Sequence, residues 1–164
     1  TGNRQTTRSQ PFTVAAGTDA AVFGADQFLT LYTGTTAGVI TIDASTGSQS
    51  IAQILTIAPA APVITSATRK TTTDGIVLTF LGFDNSRSLS TLAFTFYTSS
   101  GSVVSPGAIG ADLTREFLKY FVDNPQVGGN FQLTATFPVS GDIASITSAS
   151  VDFKNSAGVT TAKP

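Results

Sequence analysis

Two prolines three residues apart, in Ala58-Pro59-Ala60-Ala61-Pro62, interrupt this chain at the one place where strand-like sequence stops and no hairpin turn takes over. Each ring fixes φ, deletes a backbone donor and drives the preceding residue toward extended geometry, so no regular ladder runs through the stretch. Residues 58–62 therefore read as a stiff connector between two modules, with Pro59 and Pro62 as its hinge residues. After it come roughly a hundred residues, 63–164, the size of a complete β-sandwich. Before it come roughly sixty, 1–57, close to the lower limit for a chain that must bury its own core without disulfides or metal.

Downstream of the connector the apolar residues alternate. Ile76, Leu78 and Phe80 share one face of a segment over 76–83, Phe94 and Phe96 one face over 92–98, and Phe131, Leu133, Ala135 and Phe137 one face over 131–137. Val151 and Phe153 repeat the pattern over 148–155, a short strand follows over 159–162, and Thr73-Asp74-Gly75 is a hairpin signal. A single helix is predicted near 112–123. Leu113, Phe117, Tyr120 and Phe121 recur at helical spacing opposite Arg115, Glu116 and Lys119, Asp112 is the expected N-cap, and Asn124-Pro125 is the stop. A lone helix between strands is expected to cap one open end of a sandwich.

Upstream, only four segments carry a strand signal: Gln10–Ala15, Gln27–Tyr32, Val39–Ala44 and Ser50–Ile57, with turn residues about every ten positions. Four strands do not close a sandwich. The first module is therefore expected to be short or incomplete, and to be completed by a strand from another chain.

Composition then narrows the function classes. Charged residues make up 12% of the chain and the net charge is -1, which leaves no electrostatic footprint for nucleic acid or an anionic membrane. No stretch approaches the length of a membrane span, and no signal-peptide pattern opens the chain. Thr1-Gly2-Asn3-Arg4 looks like a cut end, so a processed form or an excised segment is expected. His, Cys, Met and Trp are all absent. With them go the thiolate nucleophile, the zinc-thiolate site, the imidazole base and the easily oxidised side chains.

Nine Asp and one Glu are scattered through turns, whereas a glycosidase needs two carboxyls placed in one cleft. Asp84, Asp112, Asp123 and Asp142 are the set to watch at one end of the second sandwich; the simpler reading makes them turn and cap residues. Asp84-Asn85-Ser86 lacks the alternating acidic pattern of a calcium loop. A Lys-to-Asn crosslink would draw on Lys70, Lys154, Asn130 or Asn155 with Glu116 or an Asp, and nothing in their spacing supports one. Tyr32, Tyr97 and Tyr120 are too dispersed for a sugar-stacking platform. No catalytic residue, cofactor or metal is expected.

Several of these motifs resemble a known family. Gly82-Phe83-Asp84-Asn85-Ser86-Arg87-Ser88-Leu89, Phe94-Thr95-Phe96, the aromatic helix, Gly129-Asn130-Phe131 through Phe137-Pro138-Val139-Ser140-Gly141-Asp142, and Val151-Asp152-Phe153-Lys154-Asn155-Ser156-Ala157-Gly158 resemble bacterial immunoglobulin-like β-sandwich modules from the C-terminal regions of large secreted or surface proteins. Phe12-Thr13-Val14-Ala15-Ala16-Gly17 through Thr33-Gly34-Thr35-Thr36-Ala37-Gly38-Val39-Ile40 resembles the second half of a repeat that commonly precedes that module, without its early strands. The resemblance implies an all-β fold of two immunoglobulin-like sandwich modules in tandem, the second with one short capping helix. It also implies an extracellular, cell-surface, non-catalytic building block.

The function expected from these readings is structural: a subunit of a surface filament or polymer, assembled by β-strand addition between neighbouring copies. Thr1 to Ser9 is polar and extended in character, and Arg4, Gln5, Thr6, Thr7 and Arg8 are the candidate assembly strand. Self-association into a homopolymer is the expected partnership, with surface glycans or other cell-surface proteins as further partners. The alternative is a stalk or ligand-binding fragment of a modular bacterial adhesin.

Overall fold

The structure, a computed structural model, describes residues 8–164, and it is mostly β. Two compact units divide between Gly34 and Thr35. The double-proline connector lies inside the second unit.

In the first unit, strands β1 (Thr13–Val14) and β2 (Ala21–Val22) pair antiparallel, with the Phe12 and Phe23 rings 5.8 Å apart. No residue of 8–34 is buried. Gln27–Tyr32, expected as a strand, pairs with nothing among the described residues, and Phe28, Leu29, Leu31 and Tyr32 are all exposed. Its alternation is intact, but a strand also needs a neighbour for its backbone groups, and none is supplied here.

The second unit opens with a hairpin. Strands β3 (Gly38–Thr46) and β4 (Gln49–Ile57) pair over nine positions without a bulge, from Gly38 opposite Ile57 to Thr46 opposite Gln49. The two-residue loop Gly47-Ser48 works because Gly47 takes φ 57 at its first position, a conformation that costs a glycine little.

Residues 63–164 build two facing sheets. One has the order β5-β6-β9, from Val63–Thr71, Gly75–Phe83 and Asn130–Pro138. The other has the order β11-β10-β7-β8, from Val159–Ala162, Ile146–Lys154, Thr91–Thr98 and Ile109–Asp112. Every pairing is antiparallel. The alternating residues picked out by the sequence form the core between them: Ile76, Leu78 and Phe80 from β6, Phe94 and Phe96 from β7, Phe131 from β9, Val151 and Phe153 from β10. Rings meet across the gap, with Phe80 edge-on to Phe153 at 5.0 Å and Phe137 against Phe94 at 4.8 Å and Phe96 at 5.0 Å.

The chain changes sheets between β8 and β9 through helix α1 (Thr114–Asp123). Phe117 and Phe121 are its buried positions, and Phe117 sits edge-on to Phe131 at 5.5 Å. The expected N-cap is displaced: Asp112 closes β8 instead, and Leu113 occupies the cap position without a side-chain bond. Asp112 still serves the helix start, because its carboxyl accepts from the backbone N–H and the hydroxyl of Thr114. Those two bonds, the hydroxyl first, hold the Asp112 carboxyl below the usual carboxylate range. At the far end the Asn124 amide donates to Tyr120 O, and Pro125 turns the chain into a short 3-10 segment.

Candidate functional site

The hairpin β3–β4 carries the most conspicuous unmet requirement. Cross-strand pairing places Ile40, Ile42 and Ala44 beside Leu55, Gln53 and Ile51, with Ile57 at the base, all on one face; Val39, Thr41, Asp43 and Ser45 with Thr56, Ile54, Ala52 and Ser50 make the other. The first face is apolar and only partly covered: Ile51 is 73% exposed, Ile42 45% and Leu55 42%, while Ile40, Ala44 and Ile57 are half-buried, and on the other face Val39 and Ile54 are exposed as well. A two-stranded ribbon in water is marginal on its own, and this one has no layer over its apolar side among the described residues. Among the described residues β3 and β4 pair only with each other, which leaves both outer margins open there. β4 is the less guarded margin, having no charge, no proline and no bulge over Gln49–Ile57. Those are the devices that normally keep an edge from recruiting another strand.

The base of the hairpin and the connector after it are fixed to the sandwich by the loops after β6 and β10 and by β11. Asn85 O accepts from Ala37 N–H at 2.8 Å. The Asn85 side chain accepts from Ala60 N–H and donates to Ala58 O, both at 2.9 Å, and so pairs with the connector as a strand residue would. Asn155 Nδ2 donates to Ala60 O at 2.7 Å, and the Thr160 hydroxyl donates to Pro62 O. Pro62 is buried, Pro59 exposed. The two predicted hinge residues thus flank a segment held from outside by two asparagines.

Asp84 sits beneath this joint, fully buried. Its two carboxyl oxygens accept from the N–H groups of Ser86, Ser88 and Leu89, the Ser86 hydroxyl and the Asn155 amide, at 2.7–3.1 Å. Asn155 Oδ1 in turn accepts from Ala157 and Gly158 N–H. Because the Ser86 hydroxyl donates to Asp84, Ser88 must donate to Ser86 and Ser156 to Ser88, giving a chain of hydroxyls that ends on the carboxyl. A buried carboxyl so completely surrounded by donors orders two loops; it has no free valence for a substrate or cation.

The remaining acidic residues named above do not converge. Asp112 bonds Thr114, Asp123 pairs with Lys119 on the helix surface, and Asp142 accepts from Ala144 N–H. Among the described residues no group of three or more acidic side chains is placed to hold a metal. Asn130 donates to Val127 O, and Asn155 has no lysine among its partners. Tyr97 reaches Ser150, Tyr120 reaches Asn130 O, and Tyr32 is 90% exposed. Of the candidate assembly strand, Arg4, Gln5, Thr6 and Thr7 lie outside the described residues, and Arg8 is exposed outside any strand.

The joint was hidden in plain turn chemistry. Asp84-Asn85-Ser86 and Asn155-Ser156-Ala157-Gly158 read as ordinary loops, and only the fold brings them together 71 positions apart. Comparison with family models, curated proteins and solved structures found no match. No helix is long and apolar enough to cross a membrane among the described residues.

Proposed function

We propose that this chain is a non-catalytic structural subunit of an extracellular polymer, in which strand addition from a neighbouring copy completes the β3–β4 hairpin. The observation that carries the reading is the hairpin itself: nine paired positions, an apolar face left in solvent and an unguarded outer margin. Added strands supply backbone hydrogen bonds, and a second layer over Ile42, Ile51 and Leu55 supplies the missing burial. The asparagine-held connector supports it further, because a subunit that transmits tension needs its assembly element fixed to its core.

Within this reading residues 63–164 form an immunoglobulin-like sandwich. The two strand orders, with β8 beside β7, suit the immunoglobulin-like pattern in which the fourth strand joins the sheet of the third. The upstream residues are the partner-dependent remainder of a second module. Secretion to a cell surface fits the low charge and the absence of Cys and Met.

Sedimentation velocity over a thousandfold concentration range, with electron microscopy of the most concentrated sample, tests the proposal. Mass should rise with concentration and end in periodic fibres. A folded monomer at every concentration would refute it and favour a stalk segment of an adhesin.

A further inference from the structure

Building on the assembly reading above, we infer that the strand added to the hairpin is Gln27–Tyr32 of a second copy, docked along the outer margin of β4. Three properties of that segment single it out. It reads as an extended segment with apolar side chains on both faces, Phe28-Leu29-Thr30-Leu31-Tyr32, and has no backbone partner among the described residues. Its side chains are uncovered, at 74% exposed for Phe28, 58% for Leu29, 50% for Leu31 and 90% for Tyr32. Apolar groups project to both sides, so the segment adds apolar surface in either parity of pairing. It carries no charge, and neither does β4, whereas β3 would meet an incoming strand with Asp43.

The geometry of the acceptor follows from the loop. A two-residue hairpin closes on a doubly bonded pair, here Thr46 with Gln49, and such pairs alternate with open ones along the ladder. Ser50, Ala52, Ile54 and Thr56 therefore turn their N–H and C=O groups outward from β4. Six extended residues span about 20 Å and turn every second residue toward the margin, enough to bond three of the four N–H groups.

Donor and acceptor are different surfaces of one chain. Contacts of that kind run head to tail and need not close, which is how identical subunits make a fibre.

Two variants test the assignment. Leu29→Pro with Thr30→Pro removes one donor N–H in each parity of pairing from a segment that pairs with nothing among the described residues. Ala52→Pro removes an outward N–H of β4 without touching a bond to β3. A second acceptor variant, Ile54→Lys, guards against a misfolded hairpin, and the near-ultraviolet circular dichroism of each protein checks its core. Each variant alone should lose fibre formation. Mixed in equal amounts they should give a species of two chains and nothing longer, since the donor of one fits the acceptor of the other. Fibres from the double-proline chain would overturn this assignment while leaving assembly itself standing. Absence of the two-chain species from the mixture, when wild type forms fibres, would also overturn it. A monomeric wild type would remove both.

Discussion

Asn155 donates its side-chain amide to Asp84 at 2.9 Å in a site where the two residues are 4% and 0% exposed, and this bond joins the loop after β10 to the loop after β6. The same amide holds Ala60 of the connector, so one side chain ties the core to the joint.

Asp84→Ala should be among the most destabilising single changes in the chain. It strands three backbone N–H groups, a hydroxyl and an amide in a buried site, at a cost of about 3 kcal/mol or more. Asp84→Asn should also lose stability, because its NH₂ faces donors where an acceptor is required. Urea unfolding measures both; a loss below about 0.5 kcal/mol, the size of an ordinary surface change, would contradict the account.

Asn85→Ala should act differently. The side chain's two bonds are to the connector, so the sandwich loses only about 1–2 kcal/mol while Ala58–Ala61 is released. Limited proteolysis should then cut near Ala60 well before it cuts the core. Unchanged cleavage would mean that Asn155 and Thr160 hold the connector unaided.

Glycines 129 and 110 offer a matched pair. A Cβ on Gly129 would collide with the backbone carbonyl of Asp84 and lie 2.9 Å from the Phe83 ring, whereas one on Gly110 would meet nothing within 4 Å. Gly129→Ala should cost about 2 kcal/mol or more, and Gly110→Ala should stay within about 0.5 kcal/mol of wild type. Equal effects in thermal unfolding would contradict the packing described for the loop after β6.

Asp112 gives a pH signature. Its carboxyl is held below the usual carboxylate range by Thr114, chiefly through the hydroxyl. A depressed carboxyl contributes stability that is complete above its unfolded value and is lost as pH falls through the lower folded value. Asp112→Ala should therefore lower the melting temperature at neutral pH, and the gap to wild type should narrow only in acid below about pH 4. A gap independent of pH would mean that the carboxyl's charge plays no part.

Much of the sandwich was legible because its strands are half-buried and period-2. Phe131, Leu133, Ala135 and Phe137 announce their inner face; of the four residues predicted on the apolar side of the helix, Phe117 and Phe121 are buried and Leu113 and Tyr120 half-buried. The cap moved by one residue because β8 extends as far as Asp112 to pair with Thr91. Gln27–Tyr32 has the sequence of a strand without being one, since pairing is a property of two segments and alternation of only one. The Asp84–Asn155 joint was illegible for the opposite reason: each half is a local turn, and its meaning lies in a contact across the fold.

Hydrogen exchange of the outward β4 amides, Ser50, Ala52, Ile54 and Thr56, measured in dilute and in assembled protein, tests the central claim most directly. The account predicts rapid exchange in dilute protein and strong protection of three of the four in the assembled state, with Leu78 and Val151 in the central strands of the two sandwich sheets slow in both. Amides of β4 that remain rapid in assembled fibres, or that are already protected in a dilute monomer, would contradict it.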